Sequence, residues 1–562
     1  MPTETKQKSR IEAPQRPPGA LSLSDDWAEV FNDRTRSSLG SALQEWLPSR
    51  RWFRSKARKI QSVSIREQIE VPMGKQEAFL VLFQITYVEG DSEMYVLPLA
   101  CAFGKQADGI LHDWPQLILA RVSLGRSERK GVLYDAIISK EFCQALLALT
   151  AYHHTVAGQT GDLEAEPTGL MRQVRREQGL EIEPSVSKAE QSNSSIIYKG
   201  TLILKFFRRL DAGTNPELEI ERFLSARHFA HSPPLAGALE YHDKQGGSST
   251  MAVITSFVPG CHDAWGDTLK ALNRFYRKVQ SRGAPPVADA SGSMLGHAPL
   301  PRKLATLIGP YLRDAGTLGK RTAALHVTLA SDPDDPAFSP EPWTRPAQKA
   351  FSGSLRDLTR HNFHLLHERL TTLTPECGKL AKKLLSLESV VLQRFARIDQ
   401  HPFSAARIRN HGDYHLGQVL HHGTDFLIID FEGEPAISLE ERRTKQSALR
   451  DVAGMIYSFF YAANAALREL PQSQTSPNRQ NDLIGWGRYW SVWVGAAFLR
   501  SYVETAGSAP FIPANETALK VMLDAELLRK AIYELGYELN NRPDWLNISL
   551  QVLLDLLNPD PA

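Results

Sequence analysis

Near residue 410 the chain reads Asn410-His411-Gly412-Asp413-Tyr414-His415-Leu416-Gly417-Gln418-Val419-Leu420, turns through polar His421–Asp425, and resumes as Phe426-Leu427-Ile428-Ile429-Asp430-Phe431-Glu432-Gly433. A short apolar run bounded by turn residues reads as a buried strand. Whatever fold this chain adopts must therefore seat a polar loop carrying Asp413 and Gln418 just ahead of a strand that ends in Asp430. Few residue patterns constrain a fold as much.

At 562 residues the chain is too long for one ordinary core, so several packed units are expected. Lys and Arg number 65 against 63 Asp and Glu, with no uninterrupted basic tract, which argues against nucleic acid as a partner. Cys101, Cys143, Cys261 and Cys377 lack CxxC spacing and read as reduced, buried thiols. Met1–Pro18 holds no apolar stretch and about 18 consecutive apolar residues occur nowhere, so the expectation is a cytoplasmic protein with no membrane partner.

Residues 1–24, rich in Lys, Gln, Glu and Pro, are expected to form a disordered tail. Residues 25–115 read as an N-terminal cap, with a leading helix and alternating strands at Val63–Val71, Ala78–Glu89 and Ser92–Leu97. Residues 116–260 read as a nucleotide-binding lobe: a helix over Ile137–Ala151, an exposed loop to about 180, then strands Ser195–Tyr198 and Thr201–Phe207 about the turn Lys199-Gly200. A helix begins near Pro216, and a further strand spans Thr250–Val258. Residues 261–562 are expected to be a mainly helical C-lobe, interrupted by a low-complexity insert at 281–301 and carrying the catalytic loop and acceptor site.

An Asp, an amide residue five positions later, and an apolar strand ending Asp-Phe-x-Gly have the layout of a kinase catalytic loop and metal-binding strand, with Gln418 where Asn is usual. Phosphoryl transfer needs one carboxylate beside the attacking hydroxyl that is not committed to metal, and Asp413 takes that role. It also needs hard oxygen ligands for Mg²⁺, which Asp430 and Gln418 supply. His411 and His415 lack a third ligand for zinc and read as supporting residues. Lys205, on the second of the paired strands, is placed to reach the α- and β-phosphates of ATP. Glu219 is the expected partner for it, although spacing does not choose among Glu217, Glu219 and Glu221. Ser192, Asn193, Ser194 and Ser195 precede the first strand, where backbone N–H groups and hydroxyls would cover phosphates.

These residues, together with Leu47–Lys56 and its Arg50-Arg51-Trp52-Phe53, Leu204–Arg209, Asn215–Glu219, Phe257–Gly260, Asp263–Trp265, Leu318–His326, Glu440–Ser447, Leu449–Met455 and Tyr533–Trp545, resemble the maltokinases, including the kinase half of trehalose synthase fused to a probable maltokinase. The resemblance implies an α+β, two-lobed, eukaryotic-protein-kinase-like fold of the aminoglycoside-phosphotransferase type, with an extra N-terminal α/β cap. It implies ATP and Mg²⁺ as cofactors, maltose as acceptor, maltose 1-phosphate as product feeding α-glucan synthesis, and association with trehalose synthase. Ser549 stands where the family has proline. Sugar recognition combines aromatic faces with carboxylates, amides and Arg, so Glu434, Tyr533, Tyr537, Glu538, Asn541, Arg542 and Trp545 are candidate acceptor residues. Tyr533 with Tyr537, and Trp486 with Trp490 and Trp493, also fit core positions on helices.

Two other readings keep this fold. One replaces maltose by an aminoglycoside, choline or another hydroxyl compound, since the catalytic loop is shared across the wider group. The other is a catalytically silent module regulating trehalose synthase, against which the retention of Lys205, Asp413, Gln418 and Asp430 argues.

Overall fold

Central strands that are covered on both faces lose the polar alternation of a half-exposed sheet. That is the case for Gln76–Tyr87, whose alternate residues enter two different cores. The protein is described here by a computed structural model covering residues 19–74, 76–125, 129–186, 193–286, 302–401, 403–435, 437–470 and 477–557. It divides into two compact units, Met1–Leu218 with Leu235–Phe257, and Glu219–Pro234 with Val258–Ala562.

The first unit holds two sheets. One contains β1 (Gly19–Leu23), β2 (Ile60–Met73), β3 (Gln76–Tyr87), β4 (Glu93–Phe103), β5 (Ile118–Leu124) and β6 (Arg129–Asp135), in the order β1-β5-β6-β4-β3-β2. The other contains β7 (Thr155–Ala157), β8 (Gly161–Pro167), β9 (Pro184–Val186), β10 (Asn193–Tyr198), β11 (Leu202–Phe207), β13 (Leu235–Asp243) and β14 (Ser248–Ser256), in the order β7-β8-β13-β14-β11-β10-β9, while β12 (Arg209–Leu210) crosses to pair with β4. The helix Lys140–Ala151, capped by Ser139, inserts Phe142, Leu146 and Leu147 into a core shared by both sheets. Trp52 and Phe53 of the Arg50–Phe53 signature are buried on the other face of the first sheet, with the Arg208 guanidinium 5.3 Å from the Trp52 ring.

Three expectations change here. The tail was expected to run to residue 24; residues 1–18 lie outside the described range, but Gly19–Leu23 pairs in parallel with β5, because Leu21 and Leu23 alternate into the core. The first sheet does not stop at residue 115, since β5 and β6 complete it. The stretch expected as a loop to 180 contains β8 and a helix, Gly169–Gln178. In β8, Leu163 and Ala165 are buried between exposed acids, an alternation too short to stand out beside its Gly and Pro.

A buried glutamate joins the two sheets. Glu67 lies in the inward series of β2 with Ile65, Ile69 and Val71, and accepts hydrogen bonds from the backbone N–H groups of Gln159, Thr160 and Gly161 and from the Thr160 hydroxyl. Burial would raise this carboxyl, but those donors more than offset it and hold it below its ordinary value.

The second unit is mainly helical around one large core. Its centre is the helix Leu449–Arg468, flanked by Tyr311–Leu329, Pro477–Ala506 and Glu516–Asn541. Trp486, Trp490 and Trp493 are buried there. A hairpin, Val419–His422 with Asp425–Ile428, lies against it. Much of the 281–301 insert falls outside the described residues. Of the cysteines only Cys143 is buried; Cys101, Cys261 and Cys377 are half-buried and all four are free.

Candidate active site

In the first unit, period-2 alternation places Leu204 and Phe206 in the shared core and Lys205 on the opposite face of β11 with Phe207. The Lys205 ammonium lies 2.8 Å from Glu217 Oε2, with the lysine side chain 20% exposed. Glu217 is set by the start of the helix Pro216–Ala226, where the Asn215 side chain accepts from the Glu217 N–H at 2.9 Å. The expected partner, Glu219, is corrected: its carboxylate instead accepts from Arg409 and Arg443 in the second unit. Residues two apart on a helix point to different sides, so only one of them can meet the sheet. Ser192 lies outside the described residues. Asn193, Ser194 and Ser195 stand in β10 rather than in a loop, and the Ser194 hydroxyl accepts from Arg208 Nε at 2.9 Å.

In the second unit the loop bearing Asp413 is fixed through its backbone. The Asp451 carboxylate accepts from His411 N at 2.7 Å and Gly412 N at 3.0 Å, and is itself held by His326 Nε2 at 2.9 Å, whose other nitrogen meets the Tyr502 hydroxyl at 2.9 Å. Burial would raise the Asp451 carboxyl, but His326 and His411 hold it low. The His411 ring donates through Nε2 to the Ile429 carbonyl at 3.0 Å. At Gly454 the helix runs so close to the loop that an added Cβ would sit 2.5 Å from the Tyr414 carbonyl oxygen.

The Asp413 side chain has its own partner. Lys530, on the helix Glu516–Asn541, places its ammonium 3.1 Å from Oδ1 and 2.8 Å from Glu534 Oε1. His415 Nε2 stands 3.9 Å from Oδ2. Burial would raise Asp413, but the Lys530 charge above all outweighs it and keeps the carboxyl far below the carboxylate range. Burial lowers His415, with Asp413 acting in the opposite direction.

The hairpin register, Val419 opposite Ile428, brings Gln418 and Ile429 to its open end, where Ile429 N donates to the Gln418 carbonyl at 3.1 Å. Asp430 follows with φ of 69°, a left-handed conformation that side-chain-bearing residues rarely adopt and that clusters at functional sites. An oxygen of Asp430 and one of Glu432 lie within 4.8 Å of each other. Glu432, hidden in the x of Asp-Phe-x-Gly, was not among the expected metal residues, although its acidic side chain was in plain sight.

The acceptor candidates separate into two groups. Glu434 is buried between Arg450 at 3.1 Å and Arg529 at 3.4 Å, which hold its carboxyl low against the effect of burial. Tyr533 lies under the Lys530 ammonium, 5.3 Å from ring centre to nitrogen. Asn541 donates to the Tyr537 carbonyl of its own helix. The others form a face: Trp545 stacks on Tyr461 at 6.1 Å and 7°, Trp265 lies 5.9 Å from Tyr461, and the Arg542 guanidinium covers Tyr537, which is 41% exposed. Glu538 Oε1 accepts from the Tyr461 hydroxyl at 2.8 Å and Arg542 Nη2 at 2.9 Å, while its buried Oε2 has no hydrogen-bond partner among the described residues. Burial raises this carboxyl, only partly countered by Tyr461 and Arg542. Sequence reasoning missed Lys530, Glu534 and Tyr461; the i,i+4 spacing of Lys530 and Glu534 was the available signal.

Residues 46–138 match the family model of the maltokinase N-terminal cap domain. A glucosamine kinase of Streptacidiphilus jiangxiensis is 22% identical over 375 residues, spanning 66% of this chain and 72% of the relative. Another glucosamine kinase, of Mycolicibacterium smegmatis, is 24% identical over 371 residues, spanning 65% and 78%. A solved glucosamine kinase in complex with glucosamine, ADP and inorganic phosphate aligns with a TM-score of 0.59 at 17% identity, covering 95% of this chain and all of the other. That likeness shows the kinase-like fold. No described helix is long and apolar enough to cross a membrane.

Proposed function

We propose that the protein is a sugar phosphotransferase that moves the γ-phosphoryl of ATP onto maltose at the anomeric hydroxyl. The observation that carries the reading is the Asp413 carboxylate, ionised and side-chain-anchored by Lys530, whose helix also bears Tyr537 and Glu538 of an aromatic and acidic face fit for a sugar. In this reading Asp413 orients the attacking hydroxyl and takes its proton, which an acidic anomeric hydroxyl releases late and easily. Lys205, held by Glu217, and the polar residues Asn193–Ser195 bind the phosphates. Asp430, Glu432 and Gln418 are hard oxygen donors that suit Mg²⁺, which would neutralise phosphate charge. Glu538 Oε2 accepts from a sugar hydroxyl, and Trp545 and Tyr461 offer the apolar ring contact. The matched cap supports maltose; its phosphate would enter α-glucan synthesis, and trehalose synthase is the proposed partner.

The names of the relatives favour a second acceptor, glucosamine. An ammonium needs a carboxylate not already compensated. Glu534 is paired with Lys530 and Glu538 with Arg542, which favours a neutral sugar. The experiment is an acceptor panel with ATP and Mg²⁺, followed by phosphorus NMR. Maltose is expected to be phosphorylated fastest, giving an anomeric phosphate. Faster turnover of glucosamine, glucose, an aminoglycoside or choline would replace maltose as acceptor, and ADP release with none of them would remove the transferase reading.

A further inference from the structure

Backbone anchoring of the loop by Asp451 fixes the Cα of Asp413 but leaves its two side-chain torsions free. A general base must hold its oxygen within hydrogen-bond reach of the hydroxyl, and a misplacement of about 1 Å costs roughly a hundredfold in rate. Something else must fix the carboxylate. We propose that Lys530 is a positioning residue: its ammonium pins Asp413 Oδ1, leaves Oδ2 for the acceptor hydroxyl, and through Glu534 couples the base to the helical face that receives the acceptor. This rests on the sugar phosphotransferase reading and states how that site holds its base.

Three observations support it. Lys530 is 4% exposed, and its ammonium meets Asp413 at 3.1 Å and Glu534 at 2.8 Å. Lys530, Glu534 and Glu538 are spaced i, i+4, i+8, so they form one ridge of the helix Glu516–Asn541, ending at the carboxylate whose free oxygen awaits a donor. The charged and titratable groups around the pair are His411 and His415 on the loop, Glu434 after the hairpin, Tyr457 on the helix Leu449–Arg468, and Tyr533 and Glu534 on the helix Glu516–Asn541. Burial would lower the ammonium, but Asp413, Glu534 and Glu434 together keep it charged. An acceptor bound against Glu538 and Trp545 therefore holds the ridge on which Lys530 stands.

The test uses the full chain, ATP, Mg²⁺ and the sugar that wild type phosphorylates fastest. Lys530→Met is expected to lower kcat roughly 30- to 100-fold, with the ATP KM changed by less than about twofold. It should also move the acid limb of the kcat profile upward by about one pH unit or more, since Asp413 loses its adjacent positive charge. Lys530→Arg should return the limb to its wild-type position and recover part of kcat. Glu534→Gln keeps the ammonium beside Asp413, so it should raise the acceptor KM without moving the limb. A loss caused only by weakened packing would depress kcat equally at all pH values. A folded Lys530→Met enzyme with wild-type kcat and an unmoved limb overturns the proposal. Should that variant fail to fold, Lys530→Arg and Glu534→Gln decide: both matching wild type in kcat and acceptor KM overturns it equally. Wild type that phosphorylates no sugar overturns the underlying reading as well, a result distinct from an active wild type whose Lys530 variants are normal.

Discussion

The two units hold their key charges differently. In the first, Lys205 is paired with Glu217 at a sheet surface and remains one-fifth exposed. In the second, Asp413 meets the buried ammonium of Lys530, itself paired with Glu534, while the buried Asp451, His326 and Tyr502 hold its loop. A part-exposed ion pair costs little to rearrange, which fits the nucleotide-binding role proposed for Lys205. A buried network is rigid, which fits the role of base proposed for Asp413.

Three substitutions sharpen that contrast. The largest effect is expected at Asp430: Asp430→Asn keeps a residue tolerant of left-handed φ while removing the charge, and should lower turnover by about a thousandfold or more and abolish Mg²⁺-dependent nucleotide binding by calorimetry. Unchanged ATP affinity would remove Asp430 from the metal site. A smaller effect is expected in the exposed pair, where Glu217→Gln should raise the ATP KM about tenfold, near 1.4 kcal/mol, with kcat largely kept. A collapse of kcat instead would mean that this pair, too, is part of a rigid network.

The last effect, on stability and not on turnover, concerns a buried acid that lacks the compensation Asp413 has. Asp555 accepts from Gln551 at 3.0 Å, and burial pushes its carboxyl up to about 6, only partly countered by Arg488, Gln551 and Lys383. A folded-state value above the unfolded one means that stability present below about pH 4 is lost as pH rises through about 6. Asp555→Asn should thus leave stability near pH 4 unchanged and increase it above pH 7 by about 1–3 kcal/mol, measured by urea unfolding. Equal effects at both pH values would show that Asp555 is not strained by its charge.

Much of this was legible because the chemistry depends on short spacings. The Asp413, Gln418 and Asp430 pattern located the loop and the hairpin, and the alternation of Leu204, Lys205 and Phe206 put the lysine on its own face of the strand. What spacing could not give was the choice among Glu217, Glu219 and Glu221, because all three lie on one turn and a half of helix and only packing against the sheet selects one. Lys530 was hidden for another reason. It is about 117 residues from Asp413, and a buried lysine reads as a solvated one until its carboxylate partners are seen. β8 was lost because its three acids, Gly161 and Pro167 outvoted Leu163 and Ala165.

The most direct test of the account is Asp413→Asn, comparing phosphoryl transfer from ATP to sugar with ATP binding by calorimetry. Turnover is predicted to fall at least about a hundredfold while ATP affinity is kept. Turnover near that of wild type would contradict the assignment of Asp413 as the base, and with it the role given to the network built around it.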